Sequence, residues 1–186
     1  MRNFKFQISN LKKTVQGFTL IETLVAVLLL VTAITGPLTL ASKGLSAALV
    51  ARDQMIAFYL AQDVVEYVRY VRDSNRLGGT DWLAGTINLT PCTGAGGCII
   101  DTLAGTINAC SGACSLINKY SPSVGVAYFS YTQGSVTPQQ FRRTVTLATP
   151  TTGETAEKVL TVVVSWRAQS GVTRTISVRE NIFDWQ

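Results

Sequence analysis

Residues 16–41 read QGFTLIETLVAVLLLVTAITGPLTLA, and this stretch decides how the chain is organised. The 24 residues from Phe18 to Ala41 carry a single charge, the carboxylate of Glu22. About 20 apolar residues are enough for an α-helix to cross a bilayer. A charged side chain in the hydrocarbon costs roughly 2.5–3.5 kcal/mol even on insertion-based scales. The stretch therefore predicts a membrane-spanning helix whose one acid needs an explanation.

The segment before this helix is basic. The first 17 residues contain no acid and four basic residues: Arg2, Lys5, Lys12 and Lys13. Positive charge before a span keeps that end cytoplasmic, so the C-terminal body should be exported. Two alternatives are a secretory signal cut near LTLAS, residues 38–42, and an uncleaved anchor. The first fits poorly, because the apolar run exceeds the roughly 7–15 residues of a signal core and contains an acid.

The composition limits the functions that the chain after the apolar segment can have. The 186 residues suit one modest domain plus an extended element, with 47% hydrophobic and 15% charged residues. The net charge of +5 falls to +1 without the first 17 residues, since 12 basic residues then face 11 acidic ones. The chain has no histidine, which removes the usual general base and the commonest metal ligand. We therefore expect neither an enzyme nor a cofactor, and the balanced charge argues against nucleic acid as a partner.

The hexapeptide GFTLIE, Gly17 to Glu22, resembles the prepilin signature of type IV pilins and type II secretion pseudopilins. The resemblance implies that a prepilin peptidase cuts between Gly17 and Phe18 on the cytoplasmic side and that Phe18 becomes N-methylated. Residues 1–17 would then be a leader, and residues 18–41 a retained transmembrane and assembly segment. It further implies other pilin subunits, an inner-membrane assembly platform and membrane lipid as partners. The head would lie outside the cytoplasm, in a pilus or pseudopilus after assembly.

Glu22 would be the fifth residue of the mature chain. In the family this acid is thought to meet the positive N-terminus of a neighbouring subunit. An unpaired carboxylate in apolar surroundings is penalised and a nearby cation relieves the penalty, so the acid would set the register of assembly. The alternative is a membrane-edge residue whose carboxylate reaches the headgroups.

Gly36 and Pro37 predict a break in the helix. Proline lacks a backbone donor and clashes with the preceding turn, and glycine lowers the cost of unwinding. The resemblance implies a melted or kinked segment here during assembly. The alternative is a simple kink without function.

Residues 42–76 predict an amphipathic continuation of the helix. Apolar residues recur at three-, four- and seven-residue steps, at Leu45, Leu49, Ile56, Leu60, Val64, Val68 and Val71. The turn-forming stretch DSNRLGG predicts that the helix ends within residues 75–79. The stretch AFYLAQDVVEYVRYVRDSN, residues 57–75, resembles segments of PilV-like minor pilins.

Residues 77–120 contain a duplicated unit and all four cysteines. The sequence DWLAGTIN, residues 81–88, recurs as DTLAGTIN at residues 101–108, which predicts a duplicated strand–loop unit. In an exported domain cysteines are expected to form disulfides, and four of them allow three connectivities. Glycine-rich loops favour Cys92–Cys98 with Cys110–Cys114. Zinc binding and free thiols are the alternatives, although the cysteine spacings suit zinc poorly and no histidine is available.

Residues 121–186 predict an antiparallel sheet. Four runs rich in β-branched and aromatic residues, separated by turn formers, span residues 124–131, 141–148, 158–167 and 172–182. Leu160, Val162, Val164 and Trp166 alternate onto one face, as in a sheet packed against a helix. The expected fold class is α+β, a pilin-like long helix packed on a small antiparallel sheet.

The polar residues of the head leave two weaker hypotheses. Five arginines, which fall on the predicted strands, suit a solvated sheet face better than a DNA-binding stripe: Arg142, Arg143, Arg167, Arg174 and Arg179. Three aspartates, Asp73, Asp81 and Asp101, lack the dense acidic loop typical of calcium sites. We therefore expect no metal.

Together these observations predict a minor pilin or pseudopilin, a structural subunit of a type IV pilus or a type II secretion pseudopilus. The alternative is a single-span anchored extracytoplasmic domain, a binding module or enzyme, that does not polymerise.

Overall fold

The structure is a computed structural model that describes residues 17–150 and 156–184. Nearly all of the predicted leader, residues 1–17, lies outside the described residues. The chain divides into two compact units, residues 1–46 and 47–186. The second unit contains the strands and most of the buried residues, and the first is helical from Leu20 onward. The α+β layout predicted from the sequence is confirmed: a long apolar N-terminal helix and a small antiparallel sheet.

Helix α1 runs over Leu20–Leu77. Its end falls where the sequence predicted, because the two glycines that follow complete a C-terminal cap. The Gly78 amide donates to the Ser74 carbonyl at 3.0 Å, and the Gly79 amide donates to Arg76 at 2.9 Å. Gly79 has φ +68°, a conformation that glycine adopts without steric cost and that commonly ends helices.

The predicted break at Gly36 and Pro37 is absent from α1, which includes Pro37 as a helical residue. Proline at this position removes one backbone hydrogen bond but can remain within a helix when its neighbours keep helical geometry. The Thr39 hydroxyl donates to the Gly36 carbonyl at 2.8 Å and supports the turn that follows the proline. The isolated chain therefore keeps its helix through this pair.

Two antiparallel sheets follow the helix. A short 3-10 helix covers Thr90–Thr93. The strands are β1 Cys98–Asp101, β2 Thr106–Ala109, β3 Asn118–Tyr120, β4 Tyr128–Ser130, β5 Ser135–Val136, β6 Arg142–Ala148, β7 Glu157–Arg167 and β8 Thr173–Phe183. The five-stranded sheet has the order β2-β1-β6-β7-β8, and the three-stranded sheet has the order β4-β3-β5.

The core lies between one face of the second half of α1 and the inner face of β6 to β8. The predicted apolar face of β7 is confirmed, and that of α1 is confirmed from Leu60 onward; the buried residues are Leu60, Val64, Val68, Val71, Leu160, Val162, Val164 and Trp166. Leu45, also predicted on this face of α1, is exposed, and Leu49 and Ile56 are only partly buried. Each fully buried aliphatic side chain contributes about 1.5–3 kcal/mol relative to exposure. Two ion pairs lie at the border of this core. Arg69 of α1 pairs with Glu180 of β8, and Arg76 of α1 pairs with Asp184, the residue after β8.

The predicted boundary of the sheet at residue 121 is wrong. Strands β1 and β2 lie upstream of it and extend the main sheet beyond β6, since Cys98 pairs with Val145. Cys98 and Ile100 are fully buried, so the core requires them. The predicted strand at residues 124–131 shortens to β4 and joins the small sheet instead. Gly125 has φ +116°, which is incompatible with a continuous strand through that run.

Both copies of the duplicated unit form the same turn, whereas only the second copy forms strands. In both copies the aspartate carboxylate accepts hydrogen bonds from the amides two and three residues later, at 2.9 and 2.7 Å for Asp81 and at 3.2 and 3.1 Å for Asp101. The second copy runs from the end of β1 into β2. The first copy has one isolated bridge, between Ala84 and Asn88. The prediction of two strand–loop units is therefore corrected to a repeated aspartate turn.

Asn75, at the end of α1, holds the first copy of this unit. Its side chain is buried, donates to the carbonyls of Trp82 and Ile87, and accepts from the Ile87 amide. Gly85 is required in this copy, because an added Cβ would lie 2.5 Å from the Asn75 side chain. The loop is thereby closed against the helix end.

Candidate functional site

The first candidate site is the segment at the start of α1. Gly17 and Phe18 precede the helix and are exposed, with 78% of Phe18 accessible. An added Cβ at Gly17 would meet nothing within 4 Å. The peptide bond predicted to be cut therefore lies in non-helical, accessible backbone, a geometry that a peptidase can bind.

Thr19 is the N-cap of α1. Its hydroxyl oxygen accepts a hydrogen bond from the Glu22 amide at 3.3 Å, and its carbonyl accepts from the same amide at 3.1 Å. Threonine followed three residues later by glutamate is the capping-box sequence pattern, and the described residues form its first half, the bond from the glutamate amide to the threonine hydroxyl. Sequence reasoning missed this role, although the TLIE spacing signals it. The hexapeptide therefore also defines where the helix begins.

The backbone amide of Glu22 is hydrogen-bonded to Thr19. Its carboxylate, in contrast, has no partner within residues 17–150 and 156–184. A negative charge in the first helical turn interacts favourably with the helix dipole. That interaction leaves the oxygens of the carboxylate without a specific donor. The side chain is thus available for a contact outside this chain.

The rest of the apolar segment satisfies its polar groups internally. One stretch of α1 has a mean hydropathy of 2.3 over 18 residues, and none of it is buried. Its threonine hydroxyls all bond to carbonyls of the preceding turn, at 2.8–3.1 Å: Thr23 to Leu20, Thr32 to Leu28 and Leu29, Thr35 to Val31, and Thr39 to Gly36. Polar groups inside hydrocarbon must be satisfied in this way. The helix is long and apolar enough to span a membrane, which is consistent with single-pass anchoring.

The four cysteines form the two disulfides favoured from the sequence. Cys92 pairs with Cys98, with Cα atoms 4.6 Å apart, and Cys110 pairs with Cys114, with Cα atoms 5.0 Å apart. The first pair is fully buried in the core, whereas Cys110 is partly exposed. No metal-ligating group of three or more His, Cys, Asp or Glu side chains occurs in the part of the chain that the structure describes.

Asp101 is a buried acid that joins β1 to the small sheet. One carboxylate oxygen closes the aspartate turn, and the other accepts from the Ser130 hydroxyl at 2.8 Å and from the Tyr131 amide at 2.9 Å. Burial favours the neutral form and raises the pKa, but the hydrogen bonds from Tyr131, Ala104, Ser130 and Leu103 outweigh it. The pKa of Asp101 therefore lies below its ordinary value. These contacts give the acid a structural role.

Arg143 departs from the expectation that all five strand arginines are solvated. It is 3% exposed and lies on the inner face of β6. Its guanidinium donates to the carbonyls of Leu60 and Ile100, at 2.8 and 2.5 Å, and to the Asp63 carboxylate at 3.1 Å. This residue ties α1 to the sheet, whereas Arg142 lies on the opposite face.

An apolar groove lies between α1 and the segments that contain Leu103 and Phe129. We call it the tyrosine groove. Its volume is about 680 Å³, and its aromatic lining comprises Tyr59, Tyr67, Tyr70, Tyr128 and Phe129. Burial, followed by the proximity of Tyr70 and Asp101, raises the pKa of Tyr67 and keeps its phenol neutral. Sequence reasoning missed the groove, although three of its tyrosines recur at helical spacing on one face of α1.

Known proteins add no assignment to these sites. No protein-family model matches the chain, and neither a curated protein nor a solved structure matches it. A family assignment therefore stays a proposal, and it rests on the residues from Gly17 to Glu22 and on the helix that follows them.

Proposed function

We propose that the chain is a minor type IV pilin or a type II secretion pseudopilin, a structural subunit and not an enzyme. The observation that carries the proposal is the accessible GFTLIE segment at the start of an exposed apolar helix that satisfies its own threonine hydroxyls. A basic leader before it and a separately folded unit after it complete the order that the prepilin family resemblance implies.

In this proposal a prepilin peptidase removes residues 1–17 and methylates Phe18. Cutting before the apolar segment retains it, so the mature subunit stays in the inner membrane until an assembly platform extracts it. The positive leader keeps the cut on the cytoplasmic side, and the head is exported. The two disulfides support an oxidising location for the head.

Glu22 would act during assembly. The carboxylate is the one charge between Phe18 and Ala41 and has no partner within the described chain. In the apolar filament interior an unpaired acid is unfavourable, and the N-terminal amine of a neighbouring Phe18 relieves that cost. Only one axial stagger of neighbouring helices brings the two charges together, so the pair selects the register.

The proposal is tested by processing of a Gly17→Leu variant. We expect the variant to retain its leader, because a peptidase pocket shaped for glycine excludes the larger side chain, while the parent begins at N-methylated Phe18. The measurement is intact-protein mass spectrometry of membrane fractions from cells that contain a prepilin peptidase. Gly44→Leu is the matched control, since an added Cβ meets nothing within 4 Å at either glycine. Identical, fully processed masses for parent and Gly17→Leu would contradict the proposal.

A second candidate function is an anchored extracytoplasmic binding domain that never polymerises. The tyrosine groove favours it, because apolar pockets with a few polar groups are typical of ligand sites. The same mass measurement separates the two functions, since an anchored domain keeps its leader or is cut after the apolar segment.

A further inference from the structure

A second cavity lies at the end of the main sheet where β6 and β8 begin and β7 ends. Its volume is about 410 Å³, and its polar lining includes Arg142, Ser165, Arg167 and Thr173. No carboxylate of residues 17–150 and 156–184 lines it. The proposed assembly of the subunit does not use this cavity.

The strand register places the two arginines on the same face of the sheet. Arg142 is directly opposite Ser165, and Arg167 is two residues further along β7, opposite Thr173. Side chains in such a diagonal relation have Cβ atoms at most about 7–8 Å apart, within reach for long side chains. Two guanidinium groups thus converge at one cavity.

Neither arginine is paired with an acid in the part of the chain that the structure describes. Over residues 17–150 and 156–184, five other arginines form ion pairs, and Arg142 and Arg167 form none. Two unneutralised positive charges at one cavity repel each other, and an anion between them removes that repulsion. The electrostatics of the cavity therefore favour an anionic ligand.

An independent observation comes from a buried donor at the same place. The Nε of Arg142 is buried and has no acceptor among the described residues. Most buried polar groups in proteins have a hydrogen-bond partner. The Nε–H group of arginine can only donate, so its missing partner must be an acceptor. The two positive charges and the unpaired donor both favour an oxygen-rich anion as the ligand.

We propose that this cavity binds a phosphate group. The planar forks of Arg142 and Arg167 suit two-point contacts with tetrahedral oxyanions, and the hydroxyls of Ser165 and Thr173 supply further donors. The phosphate comes either from a small molecule or from a phosphodiester chain, which share this chemistry.

The experiment titrates the ¹⁵N-labelled full chain, in detergent, with inorganic phosphate at constant ionic strength set by chloride. We expect the backbone amide resonances of Ser165 and Thr173, which line the cavity, to shift saturably. The double variant Arg142→Gln/Arg167→Gln should weaken binding about tenfold or more, since it removes charge-assisted hydrogen bonds. The control variant Arg179→Gln/Lys119→Gln removes two exposed charges outside the cavity and should leave binding within about twofold, because its positions are screened by solvent.

Equal weakening in both double variants would overturn the proposal, because it would show attraction by net charge alone. A shift that stays linear up to high phosphate, or no shift of the Ser165 and Thr173 resonances, would overturn it as well. Competition by a short single-stranded oligonucleotide, with the same dependence on Arg142 and Arg167, would assign the phosphate to a phosphodiester chain. Binding of inorganic phosphate without such competition would assign it to a small molecule. The thermal transition of each variant, followed by fluorescence, verifies that it is folded.

Discussion

Arg143 offers a sharp test of how the head is held together. Its guanidinium joins the Leu60 carbonyl on α1, the Ile100 carbonyl on β1 and the Asp63 carboxylate, at 2.5–3.1 Å. The side chain also lies over the ring of Tyr131, 5.9 Å from its centroid. Replacing it with methionine keeps much of the apolar stem and removes every one of these polar contacts.

The expected loss of stability follows from these contacts. A hydrogen bond to a charged group contributes about 1.5–3 kcal/mol, and the contributions within one network do not add fully. Asp63 stays half exposed, so losing its partner costs less than leaving a buried charge unpaired. We therefore expect Arg143→Met to lower the free energy of unfolding by about 3 kcal/mol, or the melting temperature by about 6–12 °C.

The matched control is Arg142→Met, one residue earlier on the opposite face of β6. Arg142 has no partner in the described chain, so this variant should stay within about 0.5 kcal/mol of the parent. Urea unfolding of the full chain in detergent measures both, with fluorescence as the probe, because Trp82 and Trp166 are buried. A difference between the two variants below about 1 kcal/mol would refute the assignment of Arg143 as the tie between helix and sheet.

Three further predictions concern other parts of the chain. Because the pKa of Asp101 is lowered in the folded state, its ionised form stabilises the fold above about pH 4, and this stability is lost as the pH falls through the folded pKa. Asp101→Asn should therefore weaken the pH dependence of urea unfolding more than Asp81→Asn, whose carboxylate is exposed; equal effects would contradict this. Peptide mapping without reductant should show Cys92–Cys98 and Cys110–Cys114, and mild reductant should open the more exposed Cys110–Cys114 first; a crossed pairing would refute the assignment. Glu22→Gln should be processed normally but lower the ratio of subunit in sheared filaments to subunit in membranes about tenfold, because a charge-assisted contact is lost.

The regular elements could be predicted from the sequence because their signals are local. The three- and four-residue spacing of apolar residues predicted the buried face of α1 from Leu60 onward, and strict alternation predicted the inner face of β7. The glycine pair after Leu77 marked the helix end, since a positive φ at Gly79 is a backbone property encoded by one residue. Short cysteine spacings in glycine-rich loops likewise limited the pairing to neighbours.

The remaining features depend on contacts distant in sequence, which no local pattern encodes. Arg143 and Arg142 are adjacent and chemically identical, and only the register of β6 against α1 decides that one is buried. The extension of the sheet by β1 depends on a single paired position, Cys98 with Val145. The phosphate cavity depends on the pairing of β6, β7 and β8, which places Arg142 near Arg167.

The apolar segment of α1 and the head satisfy their polar groups by different means, and the difference bears on Glu22. In the apolar segment after Thr19, each threonine hydroxyl donates to a carbonyl of its own helix, so none of these hydroxyls needs an outside partner. In the head, the buried carboxylate of Asp101 accepts hydrogen bonds from its own chain. The Glu22 carboxylate has neither kind of partner within the described residues, although it costs the most to bury. A Thr23→Val variant, which removes a hydroxyl already satisfied within the helix, should therefore assemble normally where Glu22→Gln does not. If both variants assemble as the parent does, the acid has no role between subunits and acts only at the start of the helix.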